Sequence, residues 1–439
     1  VEGFVNFPAM KRLIILVILV LTAGQIVAQY DVNSLYIRIQ NGESRDVARE
    51  LNPLLKDSLF RDPLVLTLLG DSWRNQFEYS QALQAYKRVL QIDSSNLRAM
   101  ESASDMYSML GETGSSKQLL VKLSKIDTSN IRILNKLAQT MQSQQDTREA
   151  VNIYKRLMRL GGSGYNTVKS LADCYWLLGK RDSAEVYYKV ADFVNGKSVA
   201  TKLNLSQIAY INKDLSSARI YALRGVELDS TYLPLRKQLG MVHYRLEEYN
   251  SALNNFNYLI FKGDSTAATL KYAGACNFFL GNFGESVPLL KSVLERDSSD
   301  TEAMFYLGSS LSHKGDSQEA INVFNEIMDL VQPDPVLLYK LYNQLGIAYS
   351  ALEKLQLSYD SFAEAYRLNP GDNKLIFQMA MVRGGFKDKG SLTEAKSLLE
   401  KYLESIAGKG SNLSAEEVIL RERAKMYIER ISEELFMNE

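Results

Sequence analysis

The chain has 439 residues, with 51 Lys and Arg against 51 Asp and Glu, so its formal charge is zero and no net field steers it onto nucleic-acid phosphates or an anionic membrane. It is 46% hydrophobic and 23% charged, which excludes a disordered chain, and its eight Pro suit a nearly all-helical body. Length alone does not count domains here, because a repeat array can reach this size as one body.

The first segment reads as an export signal over residues 1–28. Met10, Lys11 and Arg12 form a short basic start, Leu13 to Leu21 an unbroken apolar run, and Ile26-Val27-Ala28 a cleavage site that would leave Gln29 first. The run is short for a membrane helix, which needs about 20 apolar residues. The mature chain is therefore expected to carry no integral membrane span, an uncleaved anchor over Leu13–Ala28 being the other reading. Val1 to Ala9 fit no part of a signal, and no cysteine follows the apolar run to accept a lipid.

From Gln29 a 34-residue period runs through nine units, which open at Gln29, Pro63, Leu97, Ile131, Tyr165, Val199, Leu233, Ala267 and Thr301. The twentieth place of each is small: Ala48, Ala82, Ser116, Ala150, Ala184, Ala218, Ala252, Ser286 and Ala320. Such strictness implies stacked supersecondary units. In the unit from Pro63 to Asn96, one helical stripe holds Leu66, Leu69, Gly70 and Trp73 and a second holds Ala82, Leu83, Tyr86, Val89 and Leu90. That is a helix, a tight turn and a second helix. Gly70 and Ala82 belong at the helix crossing, and Tyr86, Tyr154, Tyr188, Phe256 and Phe324 fill the space toward the next unit. Polar turns such as Asp93-Ser94-Ser95-Asn96 and Asp297-Ser298-Ser299-Asp300 close the units and are expected to cap the helix that follows, rather than to bind metal.

The register slips by four residues at Pro335-Val336-Leu337-Leu338, which should lengthen a helix. A unit from Tyr339 to Asp372 follows, then a last one from Asn373 to about Lys409 whose turn, Gly384 to Gly390, holds roughly three extra residues and is either a flexible connection or a binding loop. The division is thus 1–28, 29–334, 335–409 and 410–439. In the closing segment Ser414 and Glu417 form a capping box, and Leu420, Ala424, Tyr427, Ile428, Ile431 and Leu435 make the stripe that caps the array's apolar end.

The Leu-Gly or Leu-Ala at the seventh and eighth places, an aromatic near the eleventh, Ala at the twentieth and an aromatic at the twenty-fourth resemble tetratricopeptide repeats over about residues 29–409. Departures are the Pro near the thirty-second place, present only as Pro370, and weak units at 29–62, 97–130 and 199–232. The resemblance implies an all-α, α-α superhelix, a solenoid of about eleven helix-turn-helix repeats with a C-terminal capping helix. It further implies a concave groove lined by the first helices that binds a peptide or protein segment without chemistry of its own.

In the family the second, fifth, ninth, twelfth and thirteenth places of each first helix line that groove. Here the twelfth place carries Trp176, Tyr210, Tyr244 and Phe278, with Phe279 and Phe305 nearby, a stripe that serves either as anchors for a partner or as packing against the next helix. The N-terminal units carry instead a mixed polar lining, with Arg74, Asn75, Arg98, Arg132 and Asn135 beside Asp71, Glu101, Asp105, Gln139 and Gln142. The carboxylate clamp of some relatives is not supported, since Lys169 is followed by Asp173 and Lys237 by Met241.

Chemistry finds little footing. His243 and His313 have no second ligand at metal spacing. Gly408-Lys409-Gly410-Ser411 lacks the earlier Gly of a phosphate loop, Leu403 standing there. Cys174 and Cys276 both take the tenth place, three units apart; with stacked helices about 8–10 Å from one another, they cannot meet the roughly 7 Å Cα separation of a disulfide. The reading is a non-enzymatic, cofactor-free scaffold, exported to the periplasm or cell surface of a Gram-negative bacterium, whose partner is a protein or peptide and not nucleic acid. Its oligomeric state is open. Rival roles are a structural subunit of a cell-envelope assembly or a glycan-binding helical protein.

Overall fold

The computed structural model describes residues 30–330, 334–409 and 413–437. The signal segment, residues 1–28, lies outside the described residues. Every regular element described is helical, 23 α-helices and one 3-10 turn. The chain divides into two compact units, residues 1–201 and 202–439, which are described one at a time.

The first unit begins with two short helices, α1 (Val32–Gln40) and α2 (Ser44–Leu51), continued by a 3-10 turn at Asn52–Leu55. Four helix pairs follow: α3 (Pro63–Asn75) with α4 (Tyr79–Ile92), α5 (Leu97–Met109) with α6 (Thr113–Ile126), α7 (Ile131–Ser143) with α8 (Thr147–Arg159), and α9 (Tyr165–Leu177) with α10 (Arg181–Val194). The next helix, α11 (Val199–Ile211), has only Val199, Ala200 and Thr201 in this unit.

The second unit continues with α12 (Leu215–Leu228), then pairs α13 (Leu233–Arg245) with α14 (Tyr249–Phe261), α15 (Ala267–Phe279) with α16 (Phe283–Leu294), and α17 (Thr301–Lys314) with α18 (Ser317–Leu330). It ends with α19 (Pro335–Ala351) and α20 (Leu355–Leu368), α21 (Asn373–Gly384) and α22 (Lys389–Ala407), and the closing helix α23 (Ala415–Met437). From Pro63 to Thr301 every first helix opens on the residue that opens its 34-residue period.

Capping explains why the starts are so regular. The polar turns act as expected: Asn96, Asn130, Asp300 and Asp372 accept the amides of Ala99, Ile133, Ala303 and Lys374, satisfying donors that a helix start leaves free. Three residues before the caps Asn96, Asn130 and Asp300, Asp93, Asp127 and Asp297 each accept the amide two residues on, as Asp229 does in its own turn. The turn inside each repeat has its own rule. From the unit at Pro63 on its fifteenth place is left-handed, filled by Gly111, Gly179, Gly281 and Gly315 but also by Phe77, Gln145, Lys213, Glu247, Glu353 and Lys387, whereas Glu43 of the first unit has φ -81°.

Within a repeat the two helices approach closely because the crossing positions are small. A Cβ added to Gly70, Gly308 or Gly346 would lie 2.5, 2.6 and 2.6 Å from the ring of Tyr86, Phe324 and Phe362 respectively, the aromatic of the same repeat's second helix. The ring therefore fills the space that the glycine vacates, besides reaching toward the next repeat, where Phe256 packs with Ala273 and Cys276. Serine at the twentieth place exploits the same proximity: Ser286 and Ser358 donate to the carbonyls of Gly274 and Gly346 at 2.9 and 2.8 Å.

The four-residue slip lengthens a first helix, α19 having 17 residues where its predecessors mostly have 13. The last turn differs from expectation. Lys387 sits at the regular left-handed place and α22 opens at Lys389, so the extra residues extend α22 to 19 residues rather than enlarging the turn. At the closing helix the capping box forms, Ser414 N–H donating to Glu417 at 2.8 Å and Glu417 N–H to Ser414 Oγ at 3.2 Å. Ala424 and Ile431 are buried against Leu399, Tyr402 and Ile406, with Leu420, Tyr427, Ile428 and Leu435 packed around them. Both cysteines are free and buried, and burial pushes their thiols up to about 11 at Cys174 and about 12 at Cys276, which keeps them protonated and unreactive at neutral pH.

Candidate functional site

In the first unit the polar lining is assembled by ion pairs that step from one first helix to the one before it. Asp71 on α3 is buried, and its carboxylate accepts from Tyr86 Oη at 2.7 Å and from Arg98 of α5 at 2.6 Å, with Arg74 at 3.3 Å. Burying that charge is tolerable because every approach is a donor. Desolvation by burial, with the same carboxylate beside it, pushes the Tyr86 phenol far up, so it stays a donor. One repeat on, Arg132 of α7 meets Glu101 of α5 at 2.7 Å, and Lys136 reaches Glu101 at 3.0 Å and Asp105 at 2.7 Å. Each exposed pair is worth about 0–1 kcal/mol, so their effect is alignment more than stability. The result is a continuous polar face across α3, α5 and α7.

Two adjoining recesses open on that face. The larger, about 630 Å³, has Arg74 and Asn75 on its wall beside Phe77, Tyr79, Met106 and Met109, and reaches Asp105, Ser108 and Lys136. A second, about 290 Å³, shares Asp105, Ser108 and Lys136 and extends to Gln139, Thr140 and Ser143. Of the residues expected here, Arg74 and Asn75 line the recess; Arg98 and Arg132 stand near the starts of α5 and α7 with exposed guanidiniums; Asn135 is half-buried on α7. Asn75 also donates to Ser44 Oγ at 3.2 Å. Met109 takes a thirteenth, groove-lining place, whereas Phe77 at the fifteenth and Lys136 at the sixth lie outside the groove places. Phe77 is the telling case: a bulky ring held at φ 63° and 77% exposed, its edge 6.4 Å from the Tyr79 ring, centre to centre. Left-handed backbone at such a residue costs energy that packing does not return.

The aromatic stripe has a different fate. Trp176, in the first unit, is half-buried near the end of α9. In the second unit the Tyr210 ring lies under the Arg245 guanidinium, 5.8 Å from it. Tyr244, Phe278, Phe279 and Phe305 join a cluster of rings over three repeats. Tyr244 shares a 2.9 Å hydroxyl contact with Tyr306 and stands edge-on to Tyr272 at 5.1 Å. Phe279 stacks on Tyr249 at 4.3 Å, Phe278 packs on Tyr306 at 5.6 Å, and Phe305 on Phe324 at 6.2 Å. His313 stacks on Phe283 at 4.6 Å. Burial drives the phenols of Tyr244 and Tyr306 upward, as expected of groups turned inward. These rings satisfy one another, and Phe279, 43% exposed, is the member most open to solvent among the expected ones. The partners Tyr249, Tyr272, Phe283 and Tyr306 had gone unnoticed, although Tyr272 and Tyr306 share the sixth place and Tyr249 and Phe283 the seventeenth.

Among the described residues no helix is long and apolar enough to cross a membrane, and no group of three or more His, Cys, Asp or Glu is placed to hold a metal ion.

Known proteins offer the following likenesses. Tetratricopeptide-repeat family models match residues 278–335 and 339–372. The BBSome complex member BBS4 of Bos taurus is 21% identical over 238 residues, 54% of this chain and 44% of the bovine protein, so the match spans less than half of that relative. Among solved structures, the APC/C hetero-tetramer Cut9-Hcn1 is similar with a TM-score of 0.42 and 16% identity, covering 90% of this chain and 82% of that one. YrrB, a TPR protein with an unusual peptide-binding site, has a TM-score of 0.37 and 21% identity over 43% of this chain and 94% of its own. A tetratricopeptide repeat protein from Parabacteroides merdae has a TM-score of 0.41 and 17% identity, covering 60% and 98%.

Proposed function

Because the chain is a tetratricopeptide-repeat protein, we propose that it is a scaffold holding an extended protein segment along α3, α5 and α7 of its first unit. The observation that carries this is the pair of adjoining recesses, to whose walls successive first helices contribute their ninth, twelfth and thirteenth places together with Phe77, Met106 and Lys136. Apolar Met106, Met109 and Phe77 would take side chains of the segment, while Arg74, Asn75 and Lys136 would meet its carbonyls and carboxylates. A library of extended peptides displayed against the full chain tests it. Selected peptides should bind at least about tenfold more weakly to Met109→Arg or Lys136→Glu and unchanged to Phe279→Ala. Binders indifferent to Met109 and Lys136 would sink the reading.

A second role, as a subunit of an assembly gripped from outside, draws on one observation. Val186, Val190 and Phe193, spaced as one face of α10, are 58%, 38% and 93% exposed. Assembly lost in Phe193→Glu with peptide capture intact would favour this role over the first. Export to a periplasm or cell surface is proposed from the basic start at Met10–Arg12, the apolar run and the Ala28 site. Sequencing the N-terminus of protein from the envelope fraction of expressing cells should give Gln29, and an uncut chain found only in cytosol would refute it.

A further inference from the structure

Where the last repeat meets the closing helix α23, the packing leaves a cavity of about 300 Å³. The apolar half of its lining comes from Met381, Leu392, Leu399, Tyr427 and Ile431, and the rest is polar. The cause is visible in the sequence. The twelfth and thirteenth places of this repeat are Gly384 and Gly385, where several first helices carry large side chains such as Arg74 and Asn75 or Phe278 and Phe279, and none of the others has glycine. A Cβ built on Gly384 finds its nearest neighbour, Ala395, only at 3.8 Å, so there is room to spare. Lys387, Arg430 and Glu434 stand at the rim. Neither Lys387 nor Arg430 forms an ion pair among the described residues, which leaves the mouth with a surplus of one positive charge.

We propose that this cavity binds a small apolar carboxylic acid, its chain among the leucines and its carboxylate on Arg430 and Lys387. At about 30 Å³ for each non-hydrogen atom, the share of one water in the liquid, the space holds roughly ten, the size of octanoate. Apolar side chains met by convergent polar groups are the ordinary build of a ligand pocket, and 300 Å³ is at the small end of their range. A guanidinium and an ammonium together favour a carboxylate over an amine, and Glu434 offsets only one of their two charges. The site is separate from the segment groove and does not depend on it.

Calorimetric titration of the full chain with octanoate, 1-octylamine and 1-octanol tests the proposal. Saturable binding of octanoate is expected, with octylamine at least about tenfold weaker, the weight of one charge-assisted contact. Arg430→Glu, an exposed site, should weaken octanoate by a similar factor without moving the melting temperature. Gly384→Leu should fill the cavity and abolish binding of all three. Absence of saturable heat up to millimolar octanoate, equal affinity for the amine, or wild-type binding by Arg430→Glu would each overturn it.

Discussion

The fifteenth place of each repeat shows how a single residue is governed by backbone geometry that side-chain patterns conceal. In the ten repeats from Pro63 on, four put Gly there and six put a residue with a Cβ, yet all ten have positive φ, from 56° at Glu353 to 99° at Gly315. A Cβ in left-handed backbone costs about 1–2 kcal/mol, against which glycine's extra chain entropy takes back roughly 0.5–1 kcal/mol. Gln145→Gly and Lys213→Gly should therefore each stabilise the fold by roughly 0.5–1 kcal/mol, and Gly179→Ala should destabilise it by about as much. Urea unfolding at fixed pH reads the difference, and a loss of stability in both glycine variants would contradict the argument. This position escapes sequence reading because Gly, Phe, Gln, Lys and Glu share no hydropathy. The eighth and twenty-fourth places were legible separately, as small and aromatic, but that the ring of Phe324 lies on Gly308 needed the helix crossing itself.

At the scale of the element, caps and ion pairs decide where helices begin and which of their faces meet. The start of α23 depends on Glu417, whose carboxyl is held down to about 2 by its bond to Lys409 and by the amide and hydroxyl of Ser414. A folded pKa below the usual 4.5 means stabilisation that is complete above that value and vanishes as the pH falls toward 2. Amide exchange in the first turn of α23 should thus accelerate, relative to the intrinsic rate, between pH 4.5 and 2, and Glu417→Gln should be fast already at pH 6 and nearly flat below it. Equal protection of the two proteins at pH 6 would rule out the capping account. Element boundaries were legible because polar turns recur with the period, and so was the polar lining, since Arg74, Arg98 and Arg132 lie at groove places. The aromatic stripe was legible only as a row of residues. Whether Tyr244 and Phe278 face a partner or their neighbours depends on rings at the sixth and seventeenth places, Tyr306 and Tyr249 among them, which no single helix face displays.

A chain built of repeats distributes its stability along its length, because most of the apolar surface of each repeat is covered by its immediate neighbours. The helix α23 packs on the last repeat. It covers Leu399, Tyr402 and Ile406 of the last repeat through Ala424 and Ile431 and extends the core with Leu420, Tyr427, Ile428 and Leu435. Burial of a Leu or Ile side chain is worth about 1.5–3 kcal/mol, so removing the helix takes several such increments from α22 and, through it, from α21. Nearest-neighbour coupling confines most of that loss to the end. Deletion of residues 410–439 should raise hydrogen exchange strongly in α21 and α22, measured by mass spectrometry on proteolytic fragments, while α3 through α8 keep their protection. The octanoate response should disappear with the deletion, since Tyr427, Arg430 and Ile431 go with it, whereas peptide capture by the first unit should persist. A uniform rise in exchange from α3 to α22 would mean that the whole chain unfolds as one cooperative body, and the nearest-neighbour description would have to be given up.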